Sequence, residues 1–89
     1  MNPLTEILNH VSDSTGIPIA AIRGRGKTAA VCRARFATVA LMHLRFPWWS
    51  QSELAAAIGR NDHGTAANAL SRAAELCEKD ENFARMIES

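Results

Sequence analysis

A chain of 89 residues has room for one domain and one core, so residues 1–89 read as a single unit. Apolar residues make up 47% and charged residues 21%, a balance that folds and excludes a disordered chain, and no apolar run approaches the ~20 residues of a membrane span. The net charge of +1 excludes no partner by itself, so the partner class rests on where the charges lie.

The first residues, MNPLTEILNH, carry neither a basic start nor a long apolar run, so no export signal is read and a cytoplasmic location is expected. Met1 followed at once by a capped helix suggests a natural start, although an excised domain would look the same. Asn2 is a helix cap with Pro3 at the first helical position. Leu4, Ile7, Leu8 and Val11 then recur at helical spacing, which predicts a first helix from about Pro3 to Ser14, ended by Gly16. A short second helix is predicted over Pro18–Ile22. Arg23-Gly24-Arg25-Gly26-Lys27 reads as a flexible basic loop.

Thr28 caps a long third helix, about Ala29 to Arg45, whose apolar surface marks it as the centre of the core. Arg33 and Arg35 lie near its start, where the helix dipole disfavours cations, which suggests that they face an external anion. Phe46-Pro47-Trp48-Trp49 breaks this helix. Ser50 and Glu53 fit a capping box, so a fourth helix is expected over about Gln51 to Ile58, closed by Gly59. Asp62 caps a fifth helix to about Glu78, with Ala66, Ala69, Leu70, Ala73 and Leu76 on one face. A last short helix follows from about Asp80 to Ile87. The expected fold class is all-α, a compact bundle of about six helices without a strand.

Charge is polarised along this layout. Six basic residues and no acid lie between Ser14 and Ser52, whereas Glu75, Glu78, Asp80, Glu81 and Glu88 dominate the end. The basic part is a candidate phosphate-binding surface, and a solvated loop is the plainer alternative. Cys32 and Cys77 are far apart and read as small buried hydrophobes, and His10, His43 and His63 are scattered, so neither a metal site nor a cofactor is expected.

Two helices joined by a short glycine turn, Gln51–Ile58 and Asp62–Glu78, fit a helix-turn-helix, in which the start of the second helix points at base edges. The candidate base readers are Asn61, Asp62, His63, Gly64 and Thr65, with Asn68 one turn on. Asp accepts from the cytosine amino group, Asn pairs with adenine, and Thr and His contact the thymine methyl. Candidates for phosphate and minor-groove contact are Arg25, Lys27, Thr28, Arg33, Arg35, Ser50, Ser52, Arg60 and Arg72. Asp62 as a mere cap and His63 as a mere surface residue are the bland alternatives.

Asn61-Asp62-His63-Gly64-Thr65-Ala66-Ala67-Asn68-Ala69 resembles the signature of the C-terminal DNA-binding domain of the bacterial replication initiator DnaA, Gly-Arg-Asp-His-Thr-Thr-Val and a short helical stretch. Ser52-Glu53-Leu54 resembles the start of the family's first helix-turn-helix helix, and Val31-Cys32-Arg33-Ala34-Arg35 resembles its Arg-x-Arg entry into the long helix. Helix order agrees along essentially the whole chain. The resemblance implies double-stranded DNA as partner, with the basic loop at the minor groove through Lys27 or Arg25, Arg35 on the DNA, and Asp62, His63 and position 64 reading bases of a nine-base-pair box. It also implies a bacterial or phage-encoded, nucleoid-associated protein in replication control or transcription regulation. The family couples this domain to an ATPase that unwinds origins, and no such module lies in this chain. Gly64 stands where the family has a base-reading threonine, Asn61 where it has arginine beside Arg60, and Phe36 where it has a polar residue. The linker Phe46–Trp49 is about two residues longer than the family's and carries two tryptophans.

Two other readings compete. Ala21 to Thr28 fits a relaxed phosphate-loop pattern, but neither a buried strand before it nor a magnesium-holding acid on another strand is predicted, so no nucleotide and no enzyme activity are expected. A protein-interaction module would use Trp48 and Trp49 as an anchor and the acidic end as a dock, against which burial of at least one tryptophan on the third helix is expected.

Overall fold

The computed structural model describes residues 2–60 and 62–88, position 63 by its backbone. Six helices follow in order: α1 (Pro3–Thr15), α2 (Ile19–Ile22), α3 (Ala29–Arg45), α4 (Gln51–Ala57), α5 (His63–Lys79) and α6 (Glu81–Glu88). No strand occurs among the described residues, and no helix there is long and apolar enough to cross a membrane. The fold is all-α, as the sequence predicts.

Local chemistry sets most of the boundaries. The Asn2 side chain accepts from the Leu4 amide at 2.9 Å, and Gly16, at φ 76°, turns the chain out of α1 while its amide bonds Ser12. Helix α1 runs one residue past the expected end because Thr15 stays helical and folds its hydroxyl back onto the Val11 carbonyl at 2.7 Å. Thr28 caps α3 through the Val31 amide at 3.3 Å. In the capping box of α4, Ser50 Oγ accepts from the Glu53 amide at 3.2 Å and the Glu53 carboxylate accepts from the Ser50 amide at 3.1 Å.

Helix α3 is the hub and touches each of the other five. Around it the core holds Leu8, Val11, Ile22, Val39, Met42, Leu54, Ile58 and Phe83, all nearly or fully buried. Much of the rest is alanine: Ala34 and Ala37 on α3, Ala55 and Ala57 on α4, and Ala66, Ala69 and Ala73 on α5. A methyl side chain lets helix axes approach closely, so the pair α4–α5 is seated on α3 at short range.

At the far end of α3, Phe46 turns the chain toward α4. The Trp49 ring stacks on it at 4.9 Å between centroids, whereas Trp48 meets it edge-on at 5.6 Å and stays 74% exposed. One tryptophan, Trp49, therefore packs partly against the core, and Trp48 and Leu44 face outward. Cys32 and Cys77 are unpaired and half-buried, and burial pushes the Cys77 thiol pKa up.

Asp80 forms the corner between α5 and α6. Its amide bonds the Leu76 carbonyl at 2.7 Å, its Oδ1 caps α6 through the Phe83 amide at 3.1 Å, and its Oδ2 pairs with Arg33. The Arg33 hydrogen bond, helped by the Phe83 amide, holds the Asp80 carboxyl below the usual carboxylate range.

Candidate nucleic-acid interface

The basic loop and the start of α5 are distant in sequence and adjacent in space. A groove between them is bordered by Lys27 on the loop, Arg60 in the turn, and Thr65 and Asn68 on the first two turns of α5, with Phe36 and Cys32 of α3 beneath. Beyond Asn68 and Phe36 a second hollow continues to Arg72. Phe36 and Cys32 were not among the expected site residues, and only the folded arrangement brings α3 under this groove.

Helix α5 starts where it does because Asp62 caps it, its Oδ1 accepting from the Gly64 amide at 2.8 Å. Asp62, Gly64 and Asn68 are exposed, and Thr65 is half-buried with its amide on the Asp62 carbonyl at 3.0 Å. Asn61 and the side chain of His63, two of the expected base readers, lie outside the described residues. The turn itself needs Gly59, whose φ of 73° lies in the left-handed region. A Cβ there would also stand 2.7 Å from the Arg23 carbonyl oxygen, so the turn rests directly on the loop backbone.

The loop that the sequence suggests is flexible has its backbone held by hydrogen bonds. The Arg35 guanidinium gathers its carbonyls: Nε donates to Ile22 at 2.8 Å, Nη1 to Gly26, and Nη2 to Gly24 at 2.7 Å and Ala21 at 3.1 Å. Arg60 reaches the same Gly24 carbonyl with Nη2 at 2.8 Å. The loop backbone is thus tied from two sides, while the side chains of Arg23, Arg25 and Lys27 remain exposed.

Arg33 and Arg35, expected to face an external anion, have internal partners. Arg33 pairs with Asp80, lies 5.6 Å over the Phe83 ring centroid, and borders a separate hollow with Ser14 and Asn82. Arg35 is 6% exposed, and burial, with Arg60 nearby, disfavours its charged form. Both lie beyond the first turn of α3, where the dipole argument no longer applies. Thr28 and Ser50 spend their hydroxyls on caps, and Ser50 and Ser52 sit at the start of α4, outside the groove. Arg72 is exposed and meets Glu75 at 3.5 Å, a pair that water largely screens.

Together these features define a class: an all-helical fold in which two helices joined by a short turn and a hydrogen-bonded basic loop share one groove. The chain is homologous to part of the chromosomal replication initiator protein DnaA. It is 33% identical over 86 residues to that protein of Aliarcobacter butzleri, covering 97% of this chain and 19% of the relative. It is 31% identical over 84 residues to that of Mesoplasma florum, covering 89% of this chain and 18% of the relative. The chain therefore spans about a fifth of the curated relatives it matches. No family model matches it.

Proposed function

We propose that this chain is a non-catalytic, sequence-specific binder of double-stranded DNA. The start of α5 enters the major groove, and loop 23–28 lies on adjacent phosphates and the minor groove. The observation that carries this reading is the single groove that Lys27 borders from one side and Thr65 and Asn68 from the other. Homology to part of an initiator of chromosome replication supports DNA as the partner and a role in replication control or transcription regulation.

Base reading falls to Asn61, Asp62, His63, Gly64, Thr65 and Asn68. Capping uses Oδ1 of Asp62, and a carboxylate has a second oxygen to accept from a cytosine amino group. Arg25 and Lys27 supply charge to phosphates, with Thr28, Ser50, Ser52 and Arg72 at the flanks. Arg35 serves the same surface from within, by holding the loop that carries those cations.

The test is a salt titration on a duplex that the protein selects from randomised DNA. Binding should weaken steeply with salt, and the double variant Arg25→Ala, Lys27→Ala should flatten the log–log slope by about two units, at ~0.9 per lost phosphate contact. Salt-independent binding would sink the proposal. The exposure of Trp48 and Leu44 favours a protein partner as the second reading, and Trp48→Ala tells the two apart by leaving DNA affinity unchanged.

A further inference from the structure

Arg60 directly precedes the stretch Asn61–Ala69, and a basic residue there reads most simply as one more phosphate contact. Its geometry differs from that. The guanidinium is half-buried and donates through Nη2 to the Gly24 carbonyl at 2.8 Å, 36 residues away in sequence. The same carbonyl accepts from Arg35 at 2.7 Å. One residue earlier, Gly59 rests against the Arg23 carbonyl so closely that a Cβ would come within 2.7 Å of it. Two consecutive turn residues thus touch two consecutive loop residues, one by steric fit and one by a charge-assisted hydrogen bond.

We propose that Arg60 is a positioning residue: it clamps the basic loop to the helix-turn-helix turn, so that the minor-groove and major-groove elements are held at one fixed separation. This rests on the DNA-binding reading above and adds to it a specificity that lies in spacing rather than in a base contact. Arg35 holds the loop to α3, and Gly59 lets the turn approach, but only Arg60 ties the turn to the loop by a side chain among the described hydrogen bonds. A duplex matches the protein when the feature under the loop and the bases under α5 stand at the preset distance. A duplex lengthened by one base pair between them is displaced along the axis and rotated, and a rigid pair of elements cannot follow both. Without the clamp the loop is still held to α3 by Arg35, but its distance from the turn is no longer fixed by a side chain and it tolerates other separations.

The experiment compares wild type, Arg60→Ala and Arg60→Lys on the duplex that wild type selects from randomised DNA. It repeats each on a duplex carrying one extra base pair between the segments that loop and α5 protect. Wild type should bind the lengthened duplex at least about tenfold more weakly. Arg60→Ala should lose about tenfold on the selected duplex and bind both alike, with the salt slope of wild type. Arg60→Lys, whose ammonium can still donate to Gly24, should recover part of the spacing preference. Amide exchange at Gly24, measured without DNA, should be several-fold faster in Arg60→Ala. Unchanged exchange, or a spacing preference equal to wild type, overturns the clamp. A slope flattened by ~0.9 with spacing preference intact makes Arg60 a phosphate contact instead. A wild type that selects no duplex but shows the exchange difference overturns the DNA reading while leaving the clamp itself in place.

Discussion

Replacing Arg35 by alanine separates a structural arginine from a DNA contact. The side chain is 6% exposed and serves four carbonyls, of which Gly24 keeps Arg60 and Ala21 keeps the Gly24 amide at 3.1 Å. Truncation removes the donors from Ile22 and Gly26, and the exposed Gly26 can turn to water. The Ile22 carbonyl lies at a buried site, and leaving it without a donor costs about 1–3 kcal/mol. The lost packing of the arginine stem adds to this, for a total of roughly 3 kcal/mol. A chain of 89 residues has a stability on the order of 4–13 kcal/mol, so the loss is large. At ~4–8 °C per kcal/mol it lowers the melting temperature by roughly 12–24 °C, read by circular dichroism without DNA. Arg35→Lys keeps the charge but cannot span carbonyls spread around a planar fork, and it should fall between. A variant that melts within about 2 °C of wild type, yet binds DNA with a flatter salt slope, would refute the reasoning and return Arg35 to the phosphates.

Gly64→Thr should change the propensity of α5 by only about 0.3 kcal/mol in its favour and add a preference for thymine at one base pair. The new Cβ comes 3.2 Å from the Asp62 Oδ1, the atom that caps α5 through the Gly64 amide at 2.8 Å, so displacement of that cap offsets the gain in helix propensity. Identical rankings of a panel of duplexes by both proteins would show that position 64 does not face the bases. For Asp80, a folded-state pKa below its ordinary 3.8 means that the Arg33 pair stabilises the protein above that pH and is lost as pH falls through the lower folded value. Melting temperature should therefore drop from about pH 5 toward about pH 2 more steeply in wild type than in Asp80→Asn, and equal slopes would remove Asp80 from the acid transition.

The helices were legible because their ends are written locally. Thr28 and the Phe46-Pro47 pair bound α3, and Ser50 with Glu53 opens α4, each within four residues of what it caps. The fates of the arginines were not legible in that way, because their partners are remote: Asp80 for Arg33 is 47 residues off and Gly24 for Arg60 is 36. A signal for Arg35 did exist. Arg35, Thr38, Val39 and Met42 follow helical spacing, and all four are buried, so the stripe that carries Val39 and Met42 inward carries Arg35 with it. Read as a charge it pointed out, and read as a register position it pointed in. The groove depended on tertiary packing throughout, since no local pattern places a loop at 23–28 beside residues 65 and 68.

The alanine seats beneath α4 and α5 bear on how such a protein changes its target over generations. Ala66, Ala69 and Ala73 are buried, so a larger side chain at any of them overpacks the core and pushes on the helix. A shift of a fraction of an ångström at that seat becomes a tilt at the end of α5, which alters the direction in which its first turn faces. If the proposed DNA reading holds, heritable drift in the recognised sequence can therefore begin at interior residues that the duplex never meets, with every surface side chain unchanged.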